Sequence, residues 1–118
     1  MACNEIRIKG DEVIMSYTHD DYPKPAQLKW AMLVVLYENN RPMVASEIDR
    51  SVAKLLNISD SMYQAVLENG KQYVPYRLGW ERTKSKKIGY IEKVPNSGRY
   101  WQLTDKGRKI AMRKSKLF

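Results

Sequence analysis

The sequence predicts a mainly α-helical fold with a small β-hairpin, and three features support this class. Apolar residues recur at helical spacing in the segments that precede Gly89. Beyond Gly89 the apolar period changes from 3.6 to 2 residues, which is typical of paired strands. One further helical segment follows. Helices, then a helix rich in Lys and Arg, then a hairpin are the element order of a winged helix-turn-helix.

A short N-terminal extension is expected to precede this domain. Residues 1–25 contain two alternating runs, Glu5–Lys9 and Glu12–Ser16, which flank Gly10-Asp11. Alternation on both sides of a Gly-containing turn indicates that the extension can form a hairpin. The winged-helix domain is then predicted to comprise residues 26–114, followed by a basic tail at 115–118.

Three helices are expected in the first part of the domain. Their predicted spans are 26–39, 46–56 and 60–67. Ser46 and Asp49 have the spacing of a capping box at the start of the second helix. Ser59 or Asp60 is the predicted N-cap of the third helix.

A fourth helix, two strands and a last helix complete the prediction. The expected spans are 76–88 for the helix, 90–94 and 99–103 for the strands, and 95–98 for their turn. Leu78 and Ile88 are the residues of the fourth helix expected to face the core. Gly89 is its expected C-cap, and Thr104 is the expected N-cap of the last helix.

The positive charge of the chain is concentrated in its last third. The 118 residues carry a net charge of +8. Residues 1–25 contribute −2 and residues 26–75 contribute 0, whereas residues 76–118 contain thirteen Lys/Arg and three Asp/Glu, a net +10. Such a localised basic field favours binding of a polyanion, because each neutralised phosphate releases condensed counterions. The alternative is an ordinary solvated basic face.

The candidate DNA-binding residues lie on the fourth helix and on the hairpin, here called the wing. In a helix-turn-helix the second helix of the motif enters the major groove. We expect Arg82 to pair with guanine and the lysines to contact phosphates. The alternatives are solvated charges and a plain polar hairpin tip. The candidates are Arg77, Arg82, Thr83, Lys84, Lys86, Lys87, Lys93, Asn96, Ser97 and Arg99.

Other sites are not indicated by the sequence. Cys3 and His19 are the single residues of their types, which argues against a disulfide, a zinc site or a catalytic triad. No catalytic, metal or cofactor site is predicted. No apolar run approaches the roughly 20 residues that span a bilayer, and a reducing, cytoplasmic location is expected. Trp80 lies near Tyr73, Tyr76 and Tyr90 in sequence. One interpretation is an aromatic pocket that holds a flipped base, and the other is that Trp80 packs the fourth helix against neighbouring elements of the fold. The second interpretation is favoured.

The chain resembles the N-terminal winged-helix domain of Mrr-type restriction endonucleases over roughly residues 26–112. The resemblance is carried by Gly70-Lys71-Gln72, Arg77-Leu78-Gly79-Trp80, Arg82-Thr83, Lys86-Lys87, Gly89, Gly98, Tyr100, Leu103-Thr104, Lys106 and Gly107-Arg108. It implies a module that docks DNA for a nuclease domain of a longer chain, in enzymes that cleave DNA with modified bases. Glu81 and Ser85 depart from the usual apolar residues, and Ile88 is expected to refill part of that volume.

The leading hypothesis from sequence is therefore a double-stranded DNA-binding module of an Mrr-like restriction system. The expected partners are double-stranded DNA, with or without modified bases, and a nuclease domain; no membrane partner is expected. The module itself is not expected to be an enzyme. Two alternatives stay open: a small winged-helix transcription regulator, and a winged helix that binds only proteins. The target sequence, the oligomeric state and the role of residues 1–25 are not determined by the sequence.

Overall fold

The fold is mainly α-helical with small antiparallel sheets, as predicted. The computed structural model describes residues 5–9 and 12–118, and the side chains of residues 17, 18 and 20–118. The elements are β1 (Glu5–Lys9), β2 (Glu12–Ser16), a 3-10 turn (His19–Asp21), α1 (Pro25–Asn39), β3 (Met43–Val44), α2 (Ala45–Leu55), α3 (Asp60–Gln64), α4 (Tyr73–Ile88), β4 (Ile91–Lys93), β5 (Tyr100–Leu103), α5 (Asp105–Lys114) and a second 3-10 turn (Ser115–Leu117).

The N-terminal strands β1 and β2 pair in antiparallel register, as expected of a hairpin. The expected turn at Gly10-Asp11, the Cys3 thiol and the His19 side chain lie outside the described residues. Tyr22, assigned to the extension by sequence, packs into the domain core, where only 5% of it is exposed. Its ring stacks on Tyr73 at 4.8 Å between centroids. Its hydroxyl donates a hydrogen bond of 2.7 Å to the Met62 carbonyl, and burial raises the pKa of Tyr22 to about 12.

Helix α1 is the centre of the core. It begins at Pro25, whose missing amide hydrogen is not needed in a first turn, and ends at Asn40 in a left-handed conformation. The expected apolar stripe is buried, and so are the residues between its members. Helices α2, α4 and α5 all pack against α1, which explains why it is apolar on nearly every side.

The start of α2 differs from the prediction. The helix begins at Ala45, its N-cap is Val44, and no side chain caps it. The capping box predicted from Ser46 and Asp49 is therefore wrong. The preceding strand β3 pairs with β5, which directs the backbone into α2. Asp49 lies buried inside the helix and forms an ion pair with Arg82.

Helices α3 and α4 also have different bounds from those predicted. Ser59 caps α3 as expected, since its hydroxyl accepts a hydrogen bond of 3.1 Å from the Met62 amide. The helix ends earlier than residue 67, because Val66 pairs with Gln72 across a tight turn. Helix α4 then begins at Tyr73, with Pro75 in its first turn, where an amide hydrogen has no helical partner.

The connection from α4 to the wing is held against α5. Gly89 has φ +92° and ends α4 as predicted. Thr104 caps α5 by accepting a 3.0 Å hydrogen bond from the Gly107 amide, and its hydroxyl donates to the Gly89 carbonyl. A β-carbon at Gly107 would lie 1.9 Å from the Tyr90 carbonyl oxygen. Only glycine permits this close approach, which fixes the wing relative to α5.

Candidate nucleic-acid interface

Helix α4 packs against the core with a face that contains two polar side chains. The buried residues of this face are Val74, Leu78, Glu81 and Ser85. Leu78 occupies the predicted core position. Ile88 is 46% exposed, so the expectation that it faces the core and refills volume beside Glu81 and Ser85 is wrong. The chain reverses at Gly89, and Ile91 enters the core instead.

The carboxylate of Glu81 is compensated by two cations of its own helix. The Arg77 guanidinium lies 3.3 Å from Glu81 Oε2, and the Lys84 ammonium lies 3.8 Å from the same atom. Arg77 is accordingly drawn toward the buried side of α4, with 29% of its side chain exposed. The side chain of Lys84 stays 54% exposed.

Arg82 lies between α2 and α4 and not on the outer face of α4. Its side chain is only 11% exposed, and its guanidinium forms an ion pair with Asp49 of α2. Burial raises the pKa of Asp49 to about 6, although the nearby guanidinium opposes that shift. The expectation that Arg82 faces a groove and reads guanine does not fit this placement, because the side chain is largely buried and its Nη1 is paired with the Asp49 carboxylate.

The outer face of α4 is a continuous stripe, the α4 stripe, defined as Tyr76, Trp80, Thr83 and Lys87. These residues follow one another at intervals of four, three and four, which places them on one side of a helix. Tyr76 is 39% and Trp80 is 50% exposed, and Thr83 and Lys87 are exposed. Lys84 and Lys86, also exposed, flank the stripe. The structure thus brings four of the predicted contact residues, Thr83, Lys84, Lys86 and Lys87, to one surface.

Gly79 is half-buried and lies on α4 one helical turn after Tyr76 and one turn before Thr83. A β-carbon there would meet the Arg82 guanidinium at 3.7 Å, an ordinary van der Waals distance. Its backbone has an ordinary helical conformation, since Gly79 is not among the residues with positive φ. A glycine inside a helix reduces stability by about 1 kcal/mol relative to alanine. Packing therefore does not require glycine at this position, and folding alone does not explain it.

The wing is the hairpin of β4 and β5, joined by the predicted turn at 95–98. Lys93 and Arg99 are exposed cations, and the Lys93 ammonium lies 5.2 Å from the Trp101 ring centre. Asn96 adopts a left-handed conformation that forms the turn. The Ser97 hydroxyl donates to the Val94 carbonyl at 3.1 Å and accepts from the Tyr100 amide. Ser97 is thus engaged within the turn, while Lys93, Asn96 and Arg99 face solvent.

The aromatic residues near Trp80 in sequence do not converge on one pocket. Tyr73 stacks on Tyr22, and Tyr90 lies 6.5 Å from Trp30. The ring of Tyr76 pairs with Trp80, edge to face, at 6.4 Å between centroids. This arrangement leaves an exposed aromatic pair on α4, and the four aromatic residues Tyr73, Tyr76, Trp80 and Tyr90 do not together enclose a site for a flipped base.

Basic residues of α5 make contacts that stabilise the fold, in addition to contributing positive charge. Lys106 donates a 2.9 Å hydrogen bond to the Ile88 carbonyl at the end of α4. The ammonium groups of Lys29 and Lys114 lie 4.3 and 4.4 Å from the centre of the Trp30 ring. Lys114, at the end of α5, is therefore held against α1.

Reasoning from sequence missed what two positions on or beside α4 show in the structure. Asp49 was interpreted as part of a cap, although an acid beside Ile48 on the apolar side of α2 is a signal for a buried partner. Gly79 was noted only as part of a motif.

Among the residues that the structure describes, no three His, Cys, Asp or Glu side chains form a group suited to a metal ion. In the same part of the chain, no helix combines the length and apolarity needed to cross a membrane.

Comparison with known proteins identifies the family. A family model described as the Mrr N-terminal domain matches residues 26–113, most of the chain and nearly all of the helical domain. No curated protein and no solved structure is significantly similar to the chain. The match confirms the resemblance seen in the sequence and relates the chain to Mrr-like restriction systems. The chain belongs to the Mrr N-terminal domain family.

Proposed function

We propose that this chain binds double-stranded DNA, with α4 in the major groove and the wing against the sugar-phosphate backbone. One observation carries the proposal. The exposed sides of α4 and the wing present five cations, whereas Glu81, the one acidic residue of α4, is buried. The cations are Lys84, Lys86, Lys87, Lys93 and Arg99.

The chemistry of this surface suits phosphate contacts better than hydrogen-bonded base recognition. Lysine is a flexible point charge, which contacts phosphates without reading sequence. Both arginines of α4, Arg77 and Arg82, are directed toward buried carboxylates. The major groove is about 12 Å wide and admits a helix. We therefore assign Lys84, Lys86 and Lys87 to the phosphates that border the groove, and Lys93 and Arg99 to phosphates beyond it.

Membership of the family gives this binding a biological setting. In the proposed role the chain is the DNA-docking module of an Mrr-like restriction system, and a nuclease domain in a longer chain performs cleavage. Modified bases are then a natural feature of the target. The folded unit proposed for this role is the predicted domain of residues 26–114, extended at its start by Tyr22, which packs on α4 through Tyr73.

Binding to a protein is the second candidate function, and the exposed pair of Tyr76 and Trp80 favours it. Exposed Tyr and Trp side chains are enriched at the energetic centres of protein interfaces. A partner bound mainly through this pair would be held by apolar burial, so its affinity would depend little on salt. DNA held by the five cations would show the opposite behaviour.

Titrations of a duplex against salt test the proposal. If the five cations each neutralise one phosphate, log K falls against log salt with a slope of about −4.5. A double variant with Lys86→Ala and Lys87→Ala is expected to reduce the slope by about 2 and to weaken binding to all sequences alike. The matched control replaces Lys109 and Lys116, exposed lysines outside α4 and the wing, by alanine.

The outcome separates the two candidates. A slope near zero for the unchanged protein would contradict DNA binding and favour the protein interface. A control variant that loses as much affinity as the α4 variant would contradict the assignment of the contact surface. Matched methylated and unmethylated duplexes in the same titration report whether modification changes affinity at constant charge.

A further inference from the structure

The α4 stripe has two chemically different halves. Its first half, Tyr76 and Trp80, presents aromatic rings, and its second half, Thr83 and Lys87, ends in a cation. The Thr83 hydroxyl donates a 3.2 Å hydrogen bond to the Gly79 carbonyl, so this group is already engaged within the helix. The part of the stripe before Lys87 therefore offers mainly apolar contact to whatever it meets.

Gly79 is a second, independent observation on the same side of the helix. It weakens α4, and the space around it accommodates a β-carbon. A glycine that neither packing nor backbone conformation requires is typical of a place where the backbone closely approaches a ligand. Tyr76 precedes it by one helical turn and Trp80 follows it directly. The point of closest approach therefore coincides with the aromatic half of the stripe.

We infer that α4 comes closest to the duplex at Gly79, and that Trp80 and Tyr76 there contact the 5-methyl groups of thymine. The inference rests on the proposed DNA binding. At the base edges of the major groove the thymine methyl is the apolar group of the four bases, and apolar side chains recognise it. The stripe thus selects A·T base pairs by shape and apolar contact, while Lys84, Lys86 and Lys87 hold the neighbouring phosphates.

A single chemical change in the DNA tests the methyl contact. The probes are a 24-base-pair alternating A/T duplex and the same duplex with uracil in place of every thymine. Uracil lacks only the 5-methyl group, so phosphates and base pairing are retained. Affinity at constant salt is expected to fall about fourfold for each methyl contacted. Trp80→Ala is expected to bind the thymine and uracil duplexes more nearly alike than the unchanged protein does.

Met112→Ala is the matched control, because Met112 is 51% exposed on α5 and Trp80 is 50% exposed on α4. This control is expected to keep the full preference for the thymine duplex. Circular dichroism and the melting temperature of each variant establish that it is folded. A preference that survives Trp80→Ala unchanged, or one that Met112→Ala abolishes, overturns the assignment to Trp80.

Gly79→Ala tests the close approach separately. Alanine is the better helix former, so the melting temperature is expected to rise by about 4 °C. Affinity for the thymine duplex is nevertheless expected to fall about tenfold, because the added methyl group holds both aromatic side chains away from the groove. A variant that gains stability and binds normally overturns the close approach at Gly79.

The outcomes distinguish this inference from the function on which it rests. If the unchanged protein binds both duplexes equally and with the steep salt dependence, thymine contact is overturned and DNA binding is retained. If it binds neither duplex in a salt-dependent manner, both proposals are overturned. In that case the exposed aromatic pair is better assigned to a protein partner.

Discussion

Replacing Arg82 by methionine is expected to destabilise the fold strongly, although this arginine appeared from sequence to be a DNA contact. The change leaves the buried carboxylate of Asp49 without its ion-pair partner. Removing one partner of a buried pair typically reduces the free energy of unfolding by about 3–5 kcal/mol. In a domain of this size, each kcal/mol lost from the free energy of unfolding lowers the melting temperature by roughly 4 °C, so the expected decrease is about 12–20 °C.

The pH dependence of stability provides a second signature of the same pair. The folded-state pKa of Asp49 is raised from 3.8 to about 6, so the folded state binds its proton more tightly than the unfolded state does. The resulting stabilisation is fully present below pH 3.8 and is lost as the pH rises through about 6. Without Arg82 the carboxylate is still harder to ionise, so the destabilisation by Arg82→Met is smaller at pH 5 than at pH 8.

Urea denaturation followed by far-UV circular dichroism measures these effects. Lys86→Met is the matched control, since it removes the same charge from an exposed position of α4 that faces no buried carboxylate. The double variant Asp49→Leu with Arg82→Met is expected to recover most of the lost stability, because no unpaired charge stays buried. If Arg82→Met unfolds no more readily than Lys86→Met, the reasoning from the buried pair is refuted.

Three further outcomes are expected. Gly107→Ala lowers the free energy of unfolding by about 3 kcal/mol in urea titrations, because its β-carbon overlaps the Tyr90 carbonyl. Tyr22→Phe lowers it by about 1 kcal/mol, since the hydrogen bond to the Met62 carbonyl is lost. The chain leaves supercoiled plasmid uncut with Mg²⁺ or Mn²⁺ in an agarose-gel assay, because cleavage in the proposed role belongs to a separate nuclease domain.

A specific result would contradict each of these three predictions. Unchanged stability of Gly107→Ala would show that the wing is not held as closely to α5 as described. Unchanged stability of Tyr22→Phe would place residue 22 outside the cooperative unit. Plasmid cleavage that a single substitution within residues 26–118 abolishes would assign catalysis to this chain.

Much of the secondary structure could be predicted because its signals are local. Gly89 ends α4 and Thr104 begins α5 through their own backbone and side-chain preferences, and the structure places both in the predicted roles. The change of apolar period at Gly89 likewise located the wing. The strand β3 was not predicted, since two residues carry no periodic signal and their pairing partner, β5, lies far away in sequence.

The candidate site likewise has features that the sequence predicts and features that depend on tertiary contacts. The amino-acid sequence was sufficient to show that the last third of the chain is basic and to predict that one helix and one hairpin carry much of this charge. It did not determine which of these side chains reach solvent. Arg82 and Lys86 share a helix and a charge, yet only Lys86 is exposed, because Asp49 of α2 lies opposite Arg82. Burial of an ion pair depends on two elements 33 residues apart, and only the tertiary structure brings them together.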